Sequence, residues 1–99
     1  MFDLALKLRG QRATFTESIS RSRDIGHDRH FATRTCFSMR VGDVNFFFSG
    51  TQMAFRGEDA CYGISLDSVA SYSVDEGGTM QVIEHFEHET ERRTTITPR

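Results

Sequence analysis

The densest apolar stretch of the chain runs from Phe31 to Gly50, and its first half alternates. Phe31, Thr33, Thr35, Phe37, Met39 and Val41 fall on one parity, with Arg34, Ser38 and Arg40 on the other. That is the period-2 pattern of a half-buried strand. Gly42-Asp43 interrupts it and Val44 to Ser49 resumes it. Glycine supplies the positive φ of a two-residue hairpin turn, so the spacing predicts a hairpin about Gly42-Asp43. Phe46, Phe47 and Phe48 put rings on both faces of the second strand, which predicts a central strand covered on both sides.

The flanking segments read in the same way. Phe2, Leu4, Leu6 and Leu8 alternate with Asp3, Ala5 and Lys7, predicting an opening strand that turns at Arg9 to Arg12 and pairs with Arg12 to Ser20. Glu17 breaks the apolar parity of that second strand, which predicts a solvated or edge-facing middle. Arg21 to His30 holds one apolar residue and no period, the composition of a loop that carries function. Gln52 to Arg56 and Cys61 to Leu66 flank a Gly57-Glu58-Asp59 turn, Asp67-Ser68 fits a tight bend or one helical turn, and Val69 to Val74 alternates again. Asp75-Glu76-Gly77-Gly78 is the strongest turn signal. Met80, Val82 and Phe86 alternate, and the threonine-rich Arg92 to Thr97 pairs back on them. A helix capped by Thr79, with Met80, Ile83 and Phe86 on one face, is the competing reading of that segment. The sum is an all-β chain, a small antiparallel barrel or sandwich of about six to eight strands with at most one short helix.

Within Val44 to Val82, the step Ile64-Ser65-Leu66-Asp67-Ser68-Val69 resembles the Ile-x-Leu-Asp-x-Val step in the β-meander of bacterial PH-like and GRAM-like domains. The resemblance covers under half of the chain and brings no function with it.

Ninety-nine residues make a single domain, 1–99, with a modest core. Nine phenylalanines and no tryptophan make that core depend on a few aromatic anchors. The net charge of -2 conceals a polarity: residues 1–50 hold eight Lys or Arg against five Asp or Glu, and residues 51–99 hold four against nine. Such a split suits steering of a partner or self-association into a homo-oligomer, provided the halves do not interleave. Cys36 and Cys61 read as buried reduced thiols, with one disulfide as the alternative. The start lacks the basic-then-apolar order of a signal peptide and is too short to span a bilayer, which points to a cytoplasmic protein without membrane contact.

The four histidines form two His-x-x-His pairs, His27 with His30 and His85 with His88. Imidazoles three apart share one face of a helical turn and suit zinc or copper, but on a strand they point to opposite faces, so no metal ligand or cofactor is assigned. No nucleophile elbow surrounds either cysteine and no phosphate-binding glycine loop exists, so a non-catalytic protein is expected. Arg9, Arg12, Arg21, Arg23, Arg29, Arg34 and Arg40 are suited to bidentate contacts with carboxylate or phosphate. With Phe15, Phe31 and Tyr62 as stacking residues they would make a nucleic-acid surface, against which the pI of about 6.0 counts. The acidic run Glu84 to Glu91 fits charge that blocks unwanted strand pairing, or a mimic of phosphate.

The sequence therefore predicts a small binding module for a protein partner, of the accessory or inhibitory kind that a mobile element carries. Its binding residues are expected at Arg21, Arg23, His27, Arg29, His30 and Arg34. Nucleic-acid binding by the arginine-rich first half is the alternative, and a metal-dependent activity at the paired histidines is the second.

Overall fold

The structure, a computed structural model, describes residues 2–21, 31–47, 50–87 and 89–98. A short helix α1 (Phe2–Lys7) precedes eight strands: β1 (Arg12–Arg21), β2 (Phe31–Arg40), β3 (Asp43–Phe47), β4 (Gln52–Arg56), β5 (Cys61–Ser65), β6 (Val69–Val74), β7 (Met80–Phe86) and β8 (Thr90–Pro98). A single 3-10 turn, Leu66–Ser68, joins β5 to β6. All pairings are antiparallel, in a five-stranded sheet of order β2-β1-β8-β7-β6 and a three-stranded sheet of order β3-β4-β5. The all-β sandwich with one short helix is as the sequence predicts. Among the described residues no helix is long and apolar enough to cross a membrane.

Two alternating segments fold differently from expectation. Phe2 to Lys7 is helical, with Ala5 and, in the turn that follows, Leu8 buried three apart, while Leu6 stays 40% exposed. A strand would bury Leu6 with Leu8, and Ala, Leu and Lys all favour helix. The expected hairpin at Gly42-Asp43 is instead a crossing between sheets. The Val41 N–H donates to the Gln11 carbonyl at 2.8 Å, and the next N–H, of Gly42, donates to Arg56 in the small sheet at 2.7 Å. Glycine suits Gly42 through close approach, because an added Cβ would lie 3.4 Å from the Arg56 carbonyl oxygen.

That crossing makes β3 an edge strand, so it is not the covered central one. Phe46 and Phe47 are 42% and 44% exposed, and Phe48 lies outside the described residues. The central strands are β8 and β4. The Asp75 turn forms as read: the Asp75 carboxylate accepts the N–H groups of Gly77 and Thr79, and Gly78 takes φ 84°. The C-terminal segment is the strand hairpin β7-β8.

The core lies between the sheets. Phe15 stacks on Phe37 with centroids 5.3 Å apart and meets Phe55 edge-on, and Tyr62 leans on both Phe15 and Phe37. Tyr62 therefore sits over β1 and β2, while Gly63 reaches Arg92 of β8 and Ser65 reaches Glu84 of β7. Strand β5 runs across the large sheet's strands, the steep crossing of an orthogonal packing.

Candidate functional site

Two places hold charge in an unusual way, one inside and one outside. Inside, Glu84 and Arg92 are cross-strand partners of the β7-β8 hairpin, on the parity of Val82 and Thr94 that faces the core. The Arg92 guanidinium grips Glu84 in a fork, Nε to Oε1 and Nη2 to Oε2, both at 2.8 Å. Arg92 Nη2 also donates to the Gly63 carbonyl at 2.7 Å, and Nη1 to Glu17 Oε2 at 3.4 Å. The Tyr62 hydroxyl donates to the same Glu17 oxygen and bonds the Thr94 hydroxyl. Arg92 lies over the rings of Tyr62 and Phe86 at 5.5 and 5.8 Å. Glu17, read as a solvated position, thus faces inward from a strand flanked by β2 and β8.

The pair has a second task. Residues of β5 alternate in pairing, so Tyr62 and Ile64 bond β4 while Gly63 and Ser65 turn their N–H and C=O groups to the free edge. Arg92 donates to the Gly63 carbonyl, and Glu84 Oε2 accepts the Ser65 N–H at 2.9 Å. One ion pair therefore satisfies two of the groups that an added strand would bond, the Gly63 carbonyl and the Ser65 N–H, and so partly covers the edge. Among the described residues no buried side-chain nitrogen or oxygen lacks a partner.

Burial pushes the Tyr62 hydroxyl up to about 12, an effect of Glu17 and Glu84 in the same direction that Thr94 and Arg92 oppose. For Arg92, burial works against the charge, but the hydrogen bonds and charge of Glu84 outweigh it and raise its pKa. Because the folded pKa of Tyr62 exceeds the unfolded value of 10.0, this contribution is full below about pH 10 and is lost as pH rises toward 12. Its expected size is about 2–3 kcal/mol. Urea unfolding of wild type and Tyr62→Phe across that window checks this, and the variant's stability should fall less steeply.

Outside, the large sheet shows a polar face. Alternation and register place Arg12, Thr14, Thr16, Ser18 and Ser20 of β1 there, with Arg34, Cys36, Ser38 and Arg40 of β2 and Glu91, Arg93, Thr95 and Thr97 of β8. Four exposed arginines meet one carboxylate on these three strands, amid hydroxyls. Thr14 and Ser38 share a hydrogen bond at 2.9 Å. Among the described residues Arg12, Arg34 and Arg40 make no ion pair, whereas Arg93 meets Glu91 at 3.4 Å, and Glu91 meets His85 Nε2 at 3.3 Å. The acids of the second half lie largely in turns, at Glu58, Asp59, Asp67, Asp75 and Glu76.

Of the expected binding residues, Arg34 stands exposed on this face. Arg21 ends β1, and Arg23, His27, Arg29 and His30 lie outside the described residues. So does His88, while His85 is exposed on the outer side of β7; among the described residues no group of three His, Cys, Asp or Glu could hold a metal ion. Two expected stacking residues, Phe15 and Tyr62, are buried at 0% and 6% exposure. Cys36 and Cys61 are free and exposed, a correction of the buried-thiol expectation. Each sits on the outward parity of its own sheet, so the sandwich separates them and they cannot bond within one chain. Arg93 and the Glu84–Arg92 network escaped the sequence reading. The available signal was two charges, Glu84 and Arg92, on the apolar parity of one hairpin. No protein-family model, curated protein or solved structure matches the chain.

Proposed function

We propose that this protein is a non-catalytic binding module that engages an acidic surface of a protein partner through the outer face of β2, β1 and β8. The observation that carries the reading is the concentration of Arg12, Arg34, Arg40 and Arg93 on one sheet face of a chain whose net charge is -2. The core does not need those arginines, and exposed charge that does no folding work serves association and its rate. The Glu84–Arg92 network supports a structural rather than a catalytic use of the buried charges, since among the described residues no buried side-chain nitrogen or oxygen lacks a partner. An accessory or inhibitory role in the cytoplasm suits a domain of this size.

A nucleic-acid partner would use the same arginines, but it loses the aromatic platform that Phe15 and Tyr62 were expected to supply. Co-purification of the tagged full chain from its native host, with nuclease treatment and a metal assay on the eluate, separates the readings. The expected result is one protein at fixed stoichiometry, indifferent to nuclease and lost with Arg34→Glu/Arg93→Glu. Retention that depends on nucleic acid or on zinc contradicts the proposal.

A further inference from the structure

We infer that the outer-face row Arg34–Ser18–Arg93 is an oxyanion site, and that it takes a phosphate monoester carried by the protein partner; this deepens the binding reading and rests on it. Ser18 is the cross-strand partner of both Arg34 on β2 and Arg93 on β8. Strand spacing puts the two arginine backbones about 10 Å apart, so both guanidinium groups reach a group seated over Ser18. Thr16, Thr95 and Gln81 line the same solvent-open groove and add hydroxyl and amide donors, Thr16 once its hydroxyl turns from Cys36 Sγ, to which it donates at 3.7 Å.

The donor count favours phosphate over carboxylate. Two guanidinium forks with three hydroxyls and an amide offer more N–H and O–H groups than the two oxygens of a carboxylate accept, whereas a phosphate monoester presents three terminal oxygens. A carboxylate is in fact already present in the groove. Glu91 approaches Arg93 at 3.4 Å, long for a charge-assisted bond and with both groups substantially exposed, and its other oxygen faces His85. It pairs with only one of the two arginines, and Arg34 makes no ion pair among the described residues. An arriving phosphate displaces that contact and meets the repulsion of Glu91. Removing the carboxylate therefore strengthens binding, an effect opposite in sign to removing either arginine.

The test titrates inorganic phosphate, free phosphoserine and acetate into the whole protein and follows the Arg Nε–H and backbone amide resonances by NMR. Phosphate and phosphoserine should shift Arg34, Arg93 and Ser18 at millimolar concentrations, with acetate at least about tenfold weaker. Arg34→Gln and Arg93→Gln should each weaken binding about tenfold, and Glu91→Gln should strengthen it several-fold. Equal shifts at Arg9, Arg12 and Arg56, or an unchanged titration in both arginine variants, overturn the site. Phosphatase treatment of the captured partner tests the source: loss of capture supports a partner-borne ester, and capture unaffected by phosphatase overturns it. Capture that persists while phosphate fails to bind sinks this inference and leaves the binding module standing; phosphate binding without any captured protein overturns both the binding module and the partner-borne ester and leaves only an oxyanion site.

Discussion

Glu84→Ala is expected to lower the unfolding free energy by about 3–5 kcal/mol, because it strands the Arg92 guanidinium against the core without its carboxylate. Glu84 is fully buried, and the Arg92 side chain is only 20% exposed. The loss is a large share of the roughly 5–15 kcal/mol that holds a domain of this kind together. Replacing both partners, as Glu84→Leu with Arg92→Met, should cost less than the sum of Glu84→Leu and Arg92→Met alone, since neither member of the pair is then left without the other, although Glu17 loses its contact with Arg92. Urea unfolding of the four species reads the coupling directly. Glu84→Ala also releases the Ser65 N–H, whose amide exchange should quicken beyond that of the Ile64 amide, bonded to β4. With the free edge of β5 uncovered, concentration-dependent association should follow in the single variant.

Phe15→Ala should cost about 3–5 kcal/mol through a different mechanism. Phe15 is fully buried and touches the rings of Phe37, Phe55 and Tyr62, so its removal leaves a cavity that both sheets border. The two sheets cross at this point, and strands fixed by their ladders cannot close inward over the gap. At about 4–8 °C per kcal/mol for a domain of this length, the melting temperature should drop by at least about 12 °C. Phe15→Leu keeps most of the volume and should lose only a fraction of that amount. Calorimetry on the three proteins checks both the size and the order, and equal melting temperatures for wild type and Phe15→Ala would remove Phe15 from the core described above.

The ladders were legible in the sequence where one parity is apolar and the other polar. β1, β2 and the β7-β8 hairpin follow from that rule, as do the turns at Gly57 and Asp75. Partnership was less legible. Period 2 says which face a residue takes but not which strand lies beside it, so Gly42-Asp43 fitted a hairpin turn as well as the sheet crossing that it makes. The three phenylalanines of β3 read as a two-sided interior for the same reason, since an edge is defined by the absent neighbour. In α1, four alternating apolar residues over one short segment fit both periods, and burial of Ala5 decides it. Glu17 breaks the apolar pattern of β1, and a carboxylate on that parity is what an inward-facing arginine 75 positions later requires. The arginine face was only partly visible: Arg12, Arg34 and Arg40 lie within the first half, but Arg93 joins them only once β8 is placed beside β1.

The proposed binding belongs to this arginine face and not to the buried network. Its most direct test is the affinity of wild type and of Arg34→Glu/Arg93→Glu for the captured partner protein, measured at low and at high salt with both proteins shown to be equally folded. Wild-type affinity should fall as salt rises, and the variant should be at least about tenfold weaker at low salt with little salt response left. Equal affinity and equal salt response in the two proteins would contradict it.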